Sequence, residues 1–311
     1  MKIQQGNSLW SDAWQRLKQN RMAYLSLWLL VVIFSACFIL PMTPLIPDPD
    51  IQDLPNAFKG PSSGHILGQD QAGRDLLSRL LSGGQISLLV GFIATLISIV
   101  IGITYGAISG YKGGKTDGIM MRIVDVLYGL PFLILIILFS MLLSAVIKQH
   151  EATLIDDWSW PTPLVNLIVN ILPLCLTIGL LGWYTMARVV RSQVLSTKKL
   201  EYVEAAVSLG LTHRNILFKQ ILPNLLGPII VYTTLTIPGF ILTEATLSFL
   251  GVGVQPPNSS WGIMLSEGAN YLETQPRLLY IPSLVFSVTL LSLNFLGDGL
   301  RDALDPKASK D

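Results

Sequence analysis

Charged residues are scarce in this sequence. Asp, Glu, Lys and Arg make up 13% of its 311 residues, about half their share in an average soluble domain. Hydrophobic residues make up 51%, which argues against a water-dissolved globular chain and for one that lives in lipid. Positive and negative charges nearly cancel, at a net +1. That balance points to no partner by itself, and nucleic acid is not expected to be one.

Reactive side chains are rarer still. The three histidines, His65, His150 and His213, fall in different loops without metal-ligand spacing, so neither a metal nor any other cofactor is expected. Cys37 and Cys175 both lie inside apolar runs, where a small buried role is the default and a disulfide is not expected. No Gly-x-Ser-x-Gly elbow is present. Gly110-Tyr111-Lys112-Gly113-Gly114-Lys115-Thr116 is like the end of a phosphate-binding loop, but Ser109 stands where the first glycine is required. The stretch also joins two apolar runs instead of following a strand, and it reads as a tight turn carrying lysines. The chain offers no catalytic residues and is not expected to be an enzyme.

Long apolar runs are what the chain has in quantity. About 20 mostly apolar residues cross the hydrocarbon layer as a helix. Six runs qualify: Tyr24–Leu40, Ile86–Ser109, Ile119–Ile147, Leu164–Val189, Leu226–Gly251 and Tyr280–Gly297. Lipid offers no hydrogen-bond partners, so each must satisfy its own backbone as a helix. The expected fold is all-α and polytopic, with six transmembrane helices. Ser35-Ala36-Cys37 is faintly like a lipoprotein cleavage site. A long polar leader precedes this run, however, and it continues through Phe38-Ile39-Leu40, so it reads as a retained anchor.

The few charges are unevenly placed. With the N-terminus in the cytoplasm, only Lys59, Arg74, Arg79, Lys148 and Arg277 of the 21 Lys and Arg residues lie outside. The remaining sixteen lie inside, which is the positive-inside pattern, so both termini are expected in the cytoplasm. The chain divides into an N-terminal segment (1–23), an anchor helix (24–40), an outer segment (41–85), a five-helix core (86–300) and a tail (301–311). In the outer segment, Arg74–Ser82 reads as an amphipathic helix at the membrane face, with turn-formers ahead of it. Val252–Leu279, with Pro256-Pro257 and Trp261, reads as an interfacial cap.

Charges inside spans call for an account, because burying one in lipid costs roughly 2.5–3.5 kcal/mol on insertion scales. Arg122 and Asp125 are one turn apart, and a local ion pair suffices. Glu244, flanked by Thr243 and Thr246 and following Pro238-Gly239, suits either a gate in a translocation pathway or an interhelical hydrogen bond. Asp298, Arg301, Asp302 and Asp305 read as a solvated helix end.

One polar stretch breaks the apolar pattern between the fourth and fifth spans, within residues 190–224. Lys198–Leu209 places Leu200, Val203, Val207 and the Ala205-Ala206 pair for one apolar helix face, and Gly210 suits the left-handed residue after a helix. Asn215–Leu222 supplies a second short helix, with Pro223 marking its end. Two such helices under the membrane make a knob that fits a groove in another protein.

Glu204-Ala205-Ala206, with Gly210 six places on and Ile221-Leu222-Pro223 beyond, resembles the EAA motif of bacterial ABC importer permeases. Gln220 stands where that family commonly has His. The likeness extends over almost the whole chain. It includes Leu67-Gly68-Gln69-Asp70, Gly73-Arg74-Asp75, Leu247-Ser248-Phe249-Leu250-Gly251 and Gly297-Asp298-Gly299-Leu300-Arg301-Asp302. These segments are similar to the peptide/nickel branch, and above all to its oligopeptide C-type permeases; residues around Lys148–Pro163 look like an outer-loop insertion.

The resemblance implies the type I importer permease fold in a bacterial inner membrane. It implies peptide import, most closely of oligopeptides, with dipeptides or a nickel chelate as alternatives. It implies four kinds of partner: a second homologous permease, one or two types of ATP-binding subunit, an extracytoplasmic peptide-binding protein, and the peptide itself. By the same resemblance Glu204, Ala205, Ala206, Gly210, Leu222 and Pro223 transmit motion from the ATPases. An ion-coupled secondary transporter would need buried ionisable groups and internal repeats. Glu244 alone meets the first need, and no repeat is found.

Overall fold

The protein is described from a computed structural model covering residues 9–151 and 161–304. Among these residues the regular structure is helical, apart from an isolated antiparallel bridge between Gln69 and Asp75. The helices are α1 (Leu9–Gln19), α2 (Arg21–Ile39), α3 (Leu76–Lys112), α4 (Gly114–Gly129), α5 (Phe132–Gln149) and α6 (Thr162–Gly182). They continue with α7 (Tyr184–Thr197), α8 (Glu201–Ser208), α9 (Leu226–Phe249), α10 (Trp261–Asn270) and α11 (Arg277–Leu304). Six helical stretches are long and apolar enough to cross a membrane: Arg21–Met42, Leu76–Lys112, Phe132–Gln149, Val165–Thr197, His213–Phe249 and Arg277–Leu304. Each of the six apolar runs of the sequence overlaps one of these stretches, the third run only from Phe132 onward.

The central element is α3. Asp75 starts it by accepting from the Ser78 amide at 2.8 Å, and Gly113 ends it at φ +67°. Its 37 residues give a rod of about 55 Å, longer than the hydrocarbon layer. One side of its N-terminal half meets α2, α9, α10 and α11 around Leu88, Ile241, Trp261 and Phe286. Another side meets α5, α6 and α9 around Val90, Ile136, Cys175 and Phe240. Further along, Gly102, Gly106 and Gly110 recur every four residues. A Cβ at these positions would come within 2.7 Å of Met186 Cβ, 2.3 Å of the Ala187 carbonyl and 2.7 Å of the Arg191 carbonyl. Without side chains there, α3 and α7 approach backbone to backbone, the usual way in which membrane helices gain packing where lipid removes any hydrophobic incentive.

Several local expectations are corrected. Arg74–Ser82 is not a separate surface helix: Leu76, Ser78, Arg79, Leu80 and Leu81 are buried first turns of α3. Arg79, 4% exposed, donates to Asp70 at 2.7 Å and to Glu267 at 2.6 Å. Trp261 is no interfacial cap but wholly buried, its indole N–H bonded to the Leu80 carbonyl at 3.0 Å. The run Ile119–Ile147 is split at Leu130-Pro131, where proline pushes the preceding residue out of helical conformation: Leu130 has ψ 148°. Asp125 pairs with Arg188 of α7 at 2.7 Å, not with Arg122 one turn away.

The cysteines fare as expected, both free and buried. The expected tight turn between α3 and α4 narrows to Gly113, with Gly113 and Gly114 at positive φ, while Lys115 and Thr116 already belong to the first turn of α4. The core of the insertion expected around Lys148–Pro163 lies outside the described residues, as does Asp305.

Candidate functional site

The polar stretch after α7 is built from a clamped base upward. Arg191 of α7 donates through Nε and Nη2 to the two carboxylate oxygens of Asp117 in α4, and Ser109 of α3 adds a bond at 2.6 Å. Arg191, and secondarily Ser109, hold the Asp117 carboxyl below its ordinary range, against the opposing effect of burial. Lys198 Nζ, just past α7, donates to the Gly110 carbonyl at 3.0 Å. Three helices thus meet where the loop begins.

Helix α8 follows, with Glu201 and Glu204 in its first turn, where the helix dipole favours negative charge. Its inner face is Val203 and Ala206, 2% and 5% exposed, packed with Ile216, Leu217 and Ile221. Glu204 and Ala205 lie on the exposed face. Gly210, at φ +74°, turns the chain back. The Gly210 N–H donates to the Val207 carbonyl at 2.9 Å and the Leu211 N–H to the Ala206 carbonyl at 3.2 Å. This pair of bonds is a Schellman closure, so the sequence reading of Gly210 as a helix stop holds in its geometry.

The second arm differs from expectation. Pro223 does not end a short helix. Thr212 caps His213–Asn215, a π-turn runs over Ile216–Ile221 and a 3-10 turn over Leu222–Leu225, leading straight into α9. The Leu222 N–H reaches back to Leu217, so the widened turn takes up the proline that an α-helix interior would not. Leu222 is partly buried against the same cluster as Val203 and Ala206, while Pro223 is exposed. At Gln220 the backbone carbonyl carries the contacts, accepting from Asn224 Nδ2 at 2.6 Å. Tyr111 of α3 meets His213 Nδ1 at 2.9 Å, a second tether to the core.

What results is a knob with an apolar tip. Leu209 is 82% exposed and Val207 54%, and Leu200, Leu211 and Tyr202 are also exposed. Among the described residues, no three His, Cys, Asp or Glu side chains gather to hold a metal. The geometry suits mechanical contact with another protein.

Glu244 sits apart from this knob and is wholly buried. Ser87 of α3 donates to its Oε2 and Ser248 to its Oε1, both at 2.7 Å. The Trp261 N–H in turn donates to Ser87 Oγ at 3.2 Å. Of the two roles the sequence allowed, this conformation realises the interhelical hydrogen bond. The sequence could not disclose the hub, because Ser87 and Glu244 are 157 residues apart. The Asp117–Arg191 clamp was hidden for the same reason.

A family described as the binding-protein-dependent transport system inner membrane component matches residues 102–310. The chain belongs to this family. The N-terminal TM domain of oligopeptide transport permease C matches residues 8–61. Among family relatives, the oligopeptide transport system permease protein OppC of Haemophilus influenzae is 42% identical over 304 residues, 97% of this chain and 90% of that one. OppC of Bacillus subtilis is 40% identical, covering 97% and 91%. The dipeptide transport system permease protein DppC of Bacillus subtilis is 42% identical, covering 95% and 85%. Among solved structures, the MetNI methionine ABC transporter in an inward-facing conformation gives a TM-score of 0.55 over 73% of this chain and 96% of that chain. At 19% identity, that likeness is one of fold. The expected ABC permease fold is therefore the observed one.

Proposed function

We propose that this chain is the membrane-spanning permease subunit of an ATP-driven importer that carries peptides, oligopeptides foremost, into a bacterial cell. The observation that carries this reading is the knob formed by α8 and the Gly210 turn, whose tip exposes Val207 and Leu209. Exposed leucine and valine outside the spans leave apolar surface in water unless another protein covers it. In a member of this family that cover is the ATP-binding subunit, and the named relatives indicate peptide as cargo.

In this mechanism the chain breaks no bond. ATP binding draws two ATP-binding subunits together, moving the grooves in which the two permeases' knobs are seated. The motion passes through α8 to the Asp117–Arg191 clamp and into α3 and α7, and the permease pair rocks between inward- and outward-facing states. Glu204, Ala205, Ala206, Gly210, Leu222 and Pro223 transmit that motion. A peptide-binding protein delivers cargo at the Asp70 end, and both termini face the cytoplasm. Glu244 is assigned to holding α3 and α9 together.

The test is co-purification from gently solubilised membranes. A second permease and ATP-binding subunits should accompany the chain, and be lost when Ala205 is replaced by Arg. Isolation of the chain alone, still moving peptide, would refute the proposal.

A further inference from the structure

Near the middle of α9, helices α3, α5, α6 and α7 leave an open cleft of about 270 Å³ against it. Its lining includes the hydroxyl-bearing residues Ser98, Thr185, Thr236 and Thr243 and the aromatic residues Phe132 and Tyr184. No lining side chain among the described residues is charged. A hydroxyl on a membrane helix ordinarily bonds its own backbone. Thr236 and Thr243 do so, donating to the Tyr232 and Gly239 carbonyls at 2.7 and 2.8 Å, and keep acceptor capacity for the cleft.

Ser98 behaves differently. It is 1% exposed, lines the cleft, and its hydroxyl bonds nothing among the described residues. A hydroxyl at the wall of a cleft with no partner in the chain is open to a polar group that enters the cleft. Beside it, Gly239 opens onto free space: a Cβ there meets nothing within 4 Å. Glu244, the residue after Thr243, is turned away into its serine hub, so the one acidic side chain nearby puts no charge on the cleft.

We propose that this cleft is the chain's share of the peptide path, and that Ser98, Thr185, Thr236 and Thr243 hold the peptide's main chain. The inference rests on the peptide-import reading above. The Ser98 and Thr185 hydroxyls can donate to the C=O groups that every peptide repeats, and Thr236 and Thr243, whose protons are held by their own helix, can accept from its N–H groups. A lining without charge favours neither acidic nor basic cargo, so the path accepts side chains of either sign and leaves selection to the delivering protein.

The experiment uses the complete complex in proteoliposomes, with ATP inside and labelled Ala-Lys-Ala and Ala-Asp-Ala outside. Thr236→Lys should lower uptake of the lysine peptide relative to the aspartate peptide by about tenfold, the scale of one like-charge contact in a partly wet site, and Thr236→Asp should reverse the ratio. Gly239→Ala, Leu and Trp should reduce uptake in order of size while the complex still co-purifies. Unchanged ratios together with full uptake by Gly239→Trp would mean that the cleft faces lipid or water, and would overturn the proposal. Loss of the second permease from the Gly239→Trp complex would mean that a neighbouring subunit fills it, and would overturn it equally. Absence of ATP-driven uptake by the unmodified complex would instead remove the import reading itself.

Discussion

Arg191 grips both carboxylate oxygens of Asp117, tying α7 to α4 at the point where the knob leaves the bundle. Ser109 and Lys198 bind α3 into the same joint. The joint therefore ties three helices, α3, α4 and α7, at one point, and under the proposed coupling a displacement of α8 would be passed to all three. Asp117→Asn should cost about 1–3 kcal/mol by weakening a charge-assisted pair in a partly buried site. It should also reduce ATP-driven uptake more than basal ATP hydrolysis. Thermal unfolding and the two rates, measured together in the purified complex, check this.

The same clamp has a pH signature. Arg191 holds the folded-state pKa of Asp117 below the ordinary aspartate range. The group's contribution is therefore complete above about pH 4 and is lost as pH falls through the folded value. Between pH 7 and 5, Asp117→Asn and the unmodified protein should differ in stability by a constant amount, and the gap should close only in stronger acid. Melting temperatures across pH 7 to 3 measure it.

Gly210 is constrained by its backbone alone. Nothing lies within 4 Å of a Cβ built there, yet φ is +74°. An L-residue in that region costs roughly 1–2 kcal/mol, and a β-branched one more. Gly210→Val should leave expression normal and uncouple ATP hydrolysis from uptake, with Gly210→Asn retaining more coupling. Normal uptake by Gly210→Val would contradict the transmission role.

Glu244 holds α3 to α9 through Ser87. Interhelical hydrogen bonds in membrane proteins average about 0.6 kcal/mol and reach about 1.7 kcal/mol. Glu244→Gln should therefore lower stability modestly, and Glu244→Ala more, since it leaves two serine hydroxyls without their acceptor. Thermal unfolding in detergent ranks them. Equal stability in both variants would mean that the hub contributes little.

Arg79 links Asp70 to Glu267 in a site where Arg79 is 4% and Asp70 1% exposed. Removing one member of such a pair is strongly destabilising, by about 3–5 kcal/mol, because a charge is left buried. Arg74 still bonds Asp70 at 2.8 Å, so the lower figure applies to Arg79→Met. Hydrogen exchange should then rise across residues 53–75, the segment these charges fasten to α10.

The spans and the Gly210 turn were legible in the sequence because both depend on local signals, namely runs of apolar residues and one residue that tolerates positive φ. Hydropathy counts apolar residues without saying what they touch. It could not separate Trp261, sealed in the core, from an interfacial tryptophan, because the Leu80 carbonyl that binds it is 181 residues away. It also ran past Pro131, since apolar residues continue on both sides of the break. Arg74–Ser82 looked like a surface helix for the same reason: Glu267, the partner of Arg79, is 188 residues distant. Pro223 misled differently, because a π-turn absorbed the proline that normally stops a helix.

The central claim is that the α8 knob couples ATP hydrolysis to peptide movement. The most direct measurement is peptide uptake and ATP hydrolysis in the same proteoliposomes, comparing the unmodified complex with Gly210→Val. The account predicts ATP-dependent uptake by the first, and in the second hydrolysis that continues with little or no uptake. Uptake by Gly210→Val at the unmodified rate, or uptake by either that follows an ion gradient and ignores ATP, would contradict it.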